Sequence, residues 1–194
     1  MVGDTQVAGP RQQSEEFSNL GEPDIARIAR GGDSQAAEAL KQLAIRQDVS
    51  AQFDLALLYR DGLGVTKDAT AYVDWLRRAG DLGHVGAQVR LIGIYEKGKI
   101  VPQNYVEAAG WARRAANQGD AAAIGSLVLD YCYGRGVPQS FTEAVKWQEI
   151  AIALGTTSSE GDFAAQLRAK AGPVAVAEGK ALAAEWLTAY RRSP

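Results

Sequence analysis

A chain of 194 residues with 21 basic and 23 acidic side chains, a formal charge of -2, lacks the cationic excess of a nucleic-acid or anionic-lipid surface. Its 34 alanines and 6 prolines favour closely packed helices, and its single cysteine, Cys132, excludes an intramolecular disulfide and a multi-cysteine metal site. Uncharged runs such as residues 121–129 fall far short of the roughly 18 apolar residues that a membrane-spanning helix needs.

Residues 1–20 read as a flexible polar tail containing Gly9-Pro10 and Gln12-Gln13-Ser14-Glu15-Glu16. No apolar stretch follows a basic start, so an intact signal peptide is not expected there. A signal removed upstream would leave no trace in these residues, and the compartment, cytoplasmic or periplasmic, stays open. The remainder, 21–194, is expected to be a single repeat domain. Its first part, 21–50, reads as a degenerate unit with two helices, 22–30 and 34–46, around Gly31-Gly32. The glycine-rich turn of the later units is missing there, and Leu43 and Ala44 fall near the position of Ala79 one period earlier.

From Ala51 the chain repeats at an offset of 36 without a gap. Ala51, Ala87 and Ala123 are followed by Leu55, Leu91 and Leu127, then Tyr59, Tyr95 and Tyr131. Gly62, Gly98 and Gly134 come next, with Val65, Val101 and Val137 behind them. Trp75, Trp111 and Trp147 then match, as do Ala79, Ala115 and Ala151, and finally Gly83, Gly119 and Gly155. Such agreement, including rare Trp and Tyr, marks an internal repeat with units 51–86, 87–122 and 123–158.

Each unit predicts two helices. The i, i+4, i+8 row of Ala51, Leu55 and Tyr59 lies on one face of the first, and Trp75 and Ala79 lie on the second. Gly62-Leu63-Gly64-Val65 and Gly134-Arg135-Gly136-Val137 place glycine where a helix can end in the left-handed region, with valine folding back on the apolar seam. Asp68, Asn104 and Ser140 are positioned to cap the second helices. The middle turn, Lys97-Gly98-Lys99-Ile100-Val101, lacks the second glycine and is expected to take a slightly different path. Alanine at facing positions lets helices approach closely, while Trp and Tyr fill the wedges between successive pairs. A lone pair cannot bury its apolar face but a stack can. The expected fold is therefore all-α: a right-handed α/α superhelical solenoid of 36-residue helix-turn-helix repeats.

Register is lost after Gly155 through Thr156-Thr157-Ser158-Ser159. Phe163, Leu167, Val174, Ala177, Leu182, Trp186 and Tyr190 then predict a short helix and a longer terminal one, capping helices within 159–194 that cover the open apolar end. Pro173 suits the first turn of the longer helix, where its missing N–H costs nothing.

The pattern Ala-x-x-x-Leu with a following Tyr, Gly-x-Gly-Val, a capping Asp or Asn, Ala-x-x-Trp, Ala-Ala and a closing Gly resembles the Sel1-like repeat family, relatives of tetratricopeptide arrays. The second unit shows its latter half as Ala108-Ala109-Gly110-Trp111-Ala112-Arg113-Arg114-Ala115-Ala116-Asn117-Gln118-Gly119. The first departs from it with Tyr72 where the family has the alanine before Trp and Gly80 for the second alanine, changes that alter local packing more than fold class. The resemblance is strong over residues 51–155 and weak over 22–50. It implies a bacterial adaptor or scaffold that holds a protein or peptide on its concave surface, and it does not imply catalysis.

Residues that suggest chemistry have simpler structural readings. His84 follows Gly83 in an inter-repeat turn with no cysteine or second histidine nearby, so it reads as a turn residue rather than a ligand or base. Cys132 reads as a small packing group without an activating base. The Gly-x-Gly turns lack the preceding strand and Walker lysine of a phosphate loop. The helical register of the Trp and Tyr residues reads as core rather than as a stacking platform for bases. No catalytic residue, cofactor, metal, nucleic-acid or transmembrane association is expected. Arg77-Arg78 and Arg113-Arg114, with Lys146 near the third position, form a basic stripe that serves either solubility or an acidic partner.

Candidate protein-binding residues lie on the first helices outside the Ala, Leu and Tyr seam: Asp54, Arg90 and Ser126; Leu57, Gly93 and Leu129; Ile94 and Asp130. Together they are expected to line a mixed concave groove in which Gly93 leaves a shallow opening for peptide backbone or a small side chain. The alternative is that some of the apolar ones close the repeat core. The function read from the sequence is a noncatalytic protein-protein interaction adaptor. The rival reading is a regulatory or envelope-associated factor that controls a partner through the same surface, with a peptide-processing enzyme a remote third.

Overall fold

The computed structural model describes residues 17, 20–157 and 161–192; apart from Phe17 and Leu20, the expected N-terminal tail lies outside the described residues. These fold as helices alone: α1 Glu22–Arg30, α2 Ser34–Ile45, α3 Val49–Asp61, α4 Ala69–Asp81, α5 Val85–Lys97, α6 Tyr105–Asn117, α7 Ala121–Tyr133, α8 Phe141–Ala153 and α9 Asp162–Tyr190. The chain divides into two compact units, residues 1–84 and 85–194.

The same local physics recurs in each repeat. The side chains of Asp68, Asn104 and Ser140 accept hydrogen bonds from N–H groups in the first turns of α4, α6 and α8, which removes donors that a helix start leaves unpaired. Their own N–H groups donate to the carbonyls of Tyr59, Tyr95 and Tyr131, each at 3.0 Å. One backbone bond thus closes the turn identically in all three repeats. Asp48 and Asp120 cap α3 and α7 in the same way. Gly62 and Gly134 end α3 and α7 in the left-handed region, with φ of 75° and 67°. Gly98 takes the same conformation at φ 63°, so the middle turn begins like the others and differs where Ile100 replaces the second glycine.

In the first unit, Ile25, Ala29, Ala37, Leu40, Ala51, Leu55 and Leu58 form a continuous core, and Tyr59, Val65 and Trp75 pack against it. Alanine on α1, α2 and α3 is what brings these short helices close. The second unit buries the repeat seam of Ala87, Leu91 and Tyr95 on α5 and Ala123, Leu127 and Tyr131 on α7. Trp111 on α6 and Trp147 on α8 are buried beside alanines.

Helix α9 is broken at Gly172, whose φ of 79° and ψ of 166° are non-helical, immediately before Pro173. The short and long segments expected from the sequence are therefore residues 162–171 and 173–190. The longer one packs on α8 through Gly179, where a Cβ would lie 2.8 Å from the carbonyl oxygen of Thr142 and from Val145. Trp186 meets the Trp147 ring edge-on at 5.9 Å, donates from Nε1 to Asn117 Oδ1 at 3.2 Å and stacks on Tyr190. Tyr190 in turn donates to the Gln118 carbonyl. These contacts fasten the terminal helix to both α8 and the end of α6.

Candidate functional site

The first-helix candidates are placed by α3, α5 and α7, and the structure separates them into two kinds. Arg90 and Leu129 are exposed; Leu57, Gly93, Ile94 and Ser126 are half-buried. Asp54 and Asp130 are buried, at 8% and 2% exposure, and both are engaged within their own unit.

Asp54 Oδ2 lies 2.5 Å from Arg30 Nη2, an ion pair that ties α3 to α1. Glu22, at the start of α1, carries a carboxyl that feels the charge of Asp54. Burial first, then the charges of Asp54 and Asp48, push the Glu22 carboxyl up to about 7, while Arg30 pulls it down. Glu22 Oε1 is buried and receives no hydrogen bond from an N–H or hydroxyl group. His84, where the other two repeats carry the capping aspartates 48 and 120, stacks on Phe53 at 4.2 Å. Burial holds its imidazole below the usual range, against the pull of Asp54.

In the second unit, Ser126 Oγ on α7 donates to Glu96 Oε1 on α5 at 3.2 Å, and nothing lies within 4 Å of where a Gly93 Cβ would stand. The Ser126–Glu96 bond joins α7 to α5, and Gly93 lies on α5 one turn before Glu96. Asp130 pairs with Arg135 Nε at 3.4 Å, and its carboxyl is raised to about 6 by burial, with Arg135 lowering and Glu96 raising it. The Arg135 guanidinium also lies about 6 Å from the rings of Tyr105 and Tyr133, the latter 66% exposed.

Sequence reasoning passed over Glu22, Arg30, Glu96 and Arg135. The 36-residue offset carried a signal for one of them: Asp130 and Arg135 stand where the first repeat has Leu58 and Leu63. The basic stripe has a structural account. Arg78 lies over Trp75 at 4.5 Å and Arg114 over Trp111 at 4.6 Å, while Lys146 covers Trp147 at 5.0 Å. A cation on each tryptophan face shields apolar surface and gains from the ring quadrupole. Arg77 pairs with Asp74, and Arg113 donates to the Tyr131 hydroxyl at 2.8 Å. Cys132 is buried, which raises its thiol. Among the described residues, no group of three or more His, Cys, Asp or Glu side chains is arranged to hold a metal ion, and no helix is long and apolar enough to cross a membrane.

Identical turn closures, capped helix pairs and a seam that repeats every 36 residues define an all-α solenoid of stacked helix-turn-helix repeats. The Sel1 repeat family matches residues 49–84, 87–120 and 123–156, more than half of the chain, and the chain belongs to that family. A Sel1 repeat protein from Oxalobacter formigenes is 26% identical with a TM-score of 0.62, the match covering 74% of this chain and 65% of that one. The protein c5321 of uropathogenic Escherichia coli, described as a protective antigen displaying an SLR fold, is 24% identical with a TM-score of 0.56; the match covers 93% of this chain and 48% of that one. The chain therefore spans less than two thirds of the length of either protein. None of the curated proteins matches it. Fold and family together make it a repeat scaffold of the protein-interaction kind.

Proposed function

We propose that the chain is a noncatalytic adaptor whose first-helix faces hold a peptide or protein segment, with α5 and α7 as the principal contact. The observation that carries this reading is the open position over Gly93, on a helix that also carries half-buried Ile94 and exposed Arg90, with half-buried Ser126 and exposed Leu129 on α7. Glycine in a helix interior costs about 0.5–1 kcal/mol relative to alanine. Nothing in the packing around Gly93 demands it, so a ligand's backbone passing close to the helix accounts for it. Arg90 supplies a charged rim and Ile94 and Leu129 apolar contact, a composition suited to short-segment recognition. Asp54, buried in its ion pair with Arg30, supports the frame of the first unit.

The test is a crosslinking pull-down from native extract with wild type, Gly93→Leu and Arg90→Glu. Gly93→Leu should fold and melt at least as well as wild type, because open space receives the side chain, yet lose the captured partner. Arg90→Glu should weaken capture, most visibly at low salt. Full recovery of the same partner by both variants would remove α5 as the contact surface.

A further inference from the structure

We propose that the turn edge shared by α5, α6 and α7 docks an extended acidic segment of another protein, one that carries an apolar side chain beside its carboxylates. This edge lies beyond the Gly93 position and shares no residue with it. Tyr105 opens α6 and Tyr133 closes α7, and the Arg135 guanidinium stands 6.0 and 5.9 Å from their ring centroids.

Two contacts join these elements into one surface. A Cβ on Gly136 would run into the Tyr105 carbonyl and the Val106 nitrogen, so the turn after α7 lies on the first turn of α6. Gln103 Nε2 donates to the Glu96 carbonyl at 2.6 Å and to the Tyr105 hydroxyl at 3.0 Å, which ties that tyrosine to the end of α5. On this surface Val106 and Tyr133 are 67% and 66% exposed, and adjoining apolar groups left open to water mark an interaction site.

Charge says what covers it. Residues 97–106 and 131–142 contain Lys97, Lys99 and Arg135 and no acid, in a chain whose net charge is -2. Both lysines are exposed, and of the four flanking acids, Glu96, Glu107, Asp130 and Glu143, only Glu107 is. Asp130 is buried behind Arg135, and Glu96 is engaged by Ser126. The fold itself does not ask for these groups. The corresponding turn of the first repeat, 61–70, has Asp61 and Asp68 with one lysine and no aromatic residue, and Leu58 and Leu63 stand where the third repeat has Asp130 and Arg135. A planar guanidinium beside two tyrosine rings suits a carboxylate gripped in two-pronged fashion, with the rings receiving the neighbouring apolar side chain. A membrane or a nucleic acid would meet the whole chain's negative charge, whereas a short acidic segment meets this edge alone.

Fluorescence anisotropy on the full chain tests this, with a labelled short glutamate peptide containing a central phenylalanine and leucine, and with its glutamine counterpart. The acidic peptide should bind at least about tenfold more tightly, and the preference should shrink as salt rises. Asp130→Leu with Arg135→Leu copies the first repeat, so it should lose about tenfold in affinity while melting no lower than wild type. Lys97→Glu with Lys99→Glu, both at exposed positions, should lose a similar factor and keeps the test open if the first pair misfolds. Absence of binding, equal binding of the two peptides, or wild-type affinity in the folded variants overturns the proposal. Amide NMR locates the contact: shift changes within 97–106 and 131–139 support it, and changes centred on Gly93 and Ser126 overturn it in favour of the α5–α7 face. Cosedimentation with phosphatidylserine vesicles in the absence of peptide binding also overturns it and reassigns the edge to a membrane surface.

Discussion

Asp130 and Arg135 pose the sharpest question at the scale of single residues. The first repeat fills the same two positions with Leu58 and Leu63, both part of its apolar packing. In the third repeat a carboxylate with 2% exposure faces a guanidinium at 3.4 Å, too long and misdirected for Nε to hydrogen-bond it. Burying the Asp130 charge costs more than so poor a pairing with a partly exposed Arg135 returns. Asp130→Leu with Arg135→Leu, copying the first repeat, should therefore be neutral or stabilising by about 1–4 kcal/mol. Arg135→Leu alone should cost up to about 3 kcal/mol, the low end of the range for an orphaned buried charge because Arg135 is partly exposed. Urea unfolding reads both; a double variant as unstable as the single one would show that the pair itself stabilises the repeat.

Among elements, the two kinds of glycine separate cleanly. Gly136 has φ 68°, and a Cβ there would run into the carbonyl of Tyr105 at the start of α6, so the turn leaving α7 lies directly on the preceding helix. Gly93 sits in the middle of α5 with open space before it. Gly136→Ala should lower stability by well over about 1 kcal/mol, whereas Gly93→Ala should raise it by about 0.5–1 kcal/mol. Equal urea midpoints for the two would contradict this account of the turn.

The same contrast explains how much of the molecule was legible beforehand. Turns, caps on the second helices and the break before Pro173 are local, and a period of 36 writes them three times over, so helix positions and fold class followed from spacing. The caps Asp48 and Asp120 were visible but masked by His84 at the intervening position. The candidate site was far less legible. Spacing put Gly93 and Ser126 on the first helices of their repeats, but it could not show that Asp54 and Asp130 are buried. Their partners, Glu22, Arg30 and Arg135, belong to no repeated position shared by all units, and only tertiary packing brings Glu22 across 32 residues to Asp54.

For the molecule as a whole, among the described residues each compact unit carries one carboxyl displaced upward mainly by burial: Glu22 in the first, at about 7, and Asp130 in the second, at about 6. Both displacements have the same sign. A group whose pKa rises on folding binds more protons folded than unfolded, so each contribution is complete below its ordinary value, 4.5 and 3.8, and is lost as pH climbs through about 7 and about 6. Thermal stability should therefore fall from about pH 4.5 to about pH 7.5 and level off beyond, whichever unit melts first. Repeat arrays need not unfold in a single step, so the two contributions are separable. Glu22→Gln should flatten the upper part of the decline and Asp130→Asn the lower part, and the double variant should melt at nearly constant temperature across the range by circular dichroism. A wild-type Tm that rises over this interval would mean that carboxylates ionised in the folded state, such as the capping aspartates, outweigh the two buried groups.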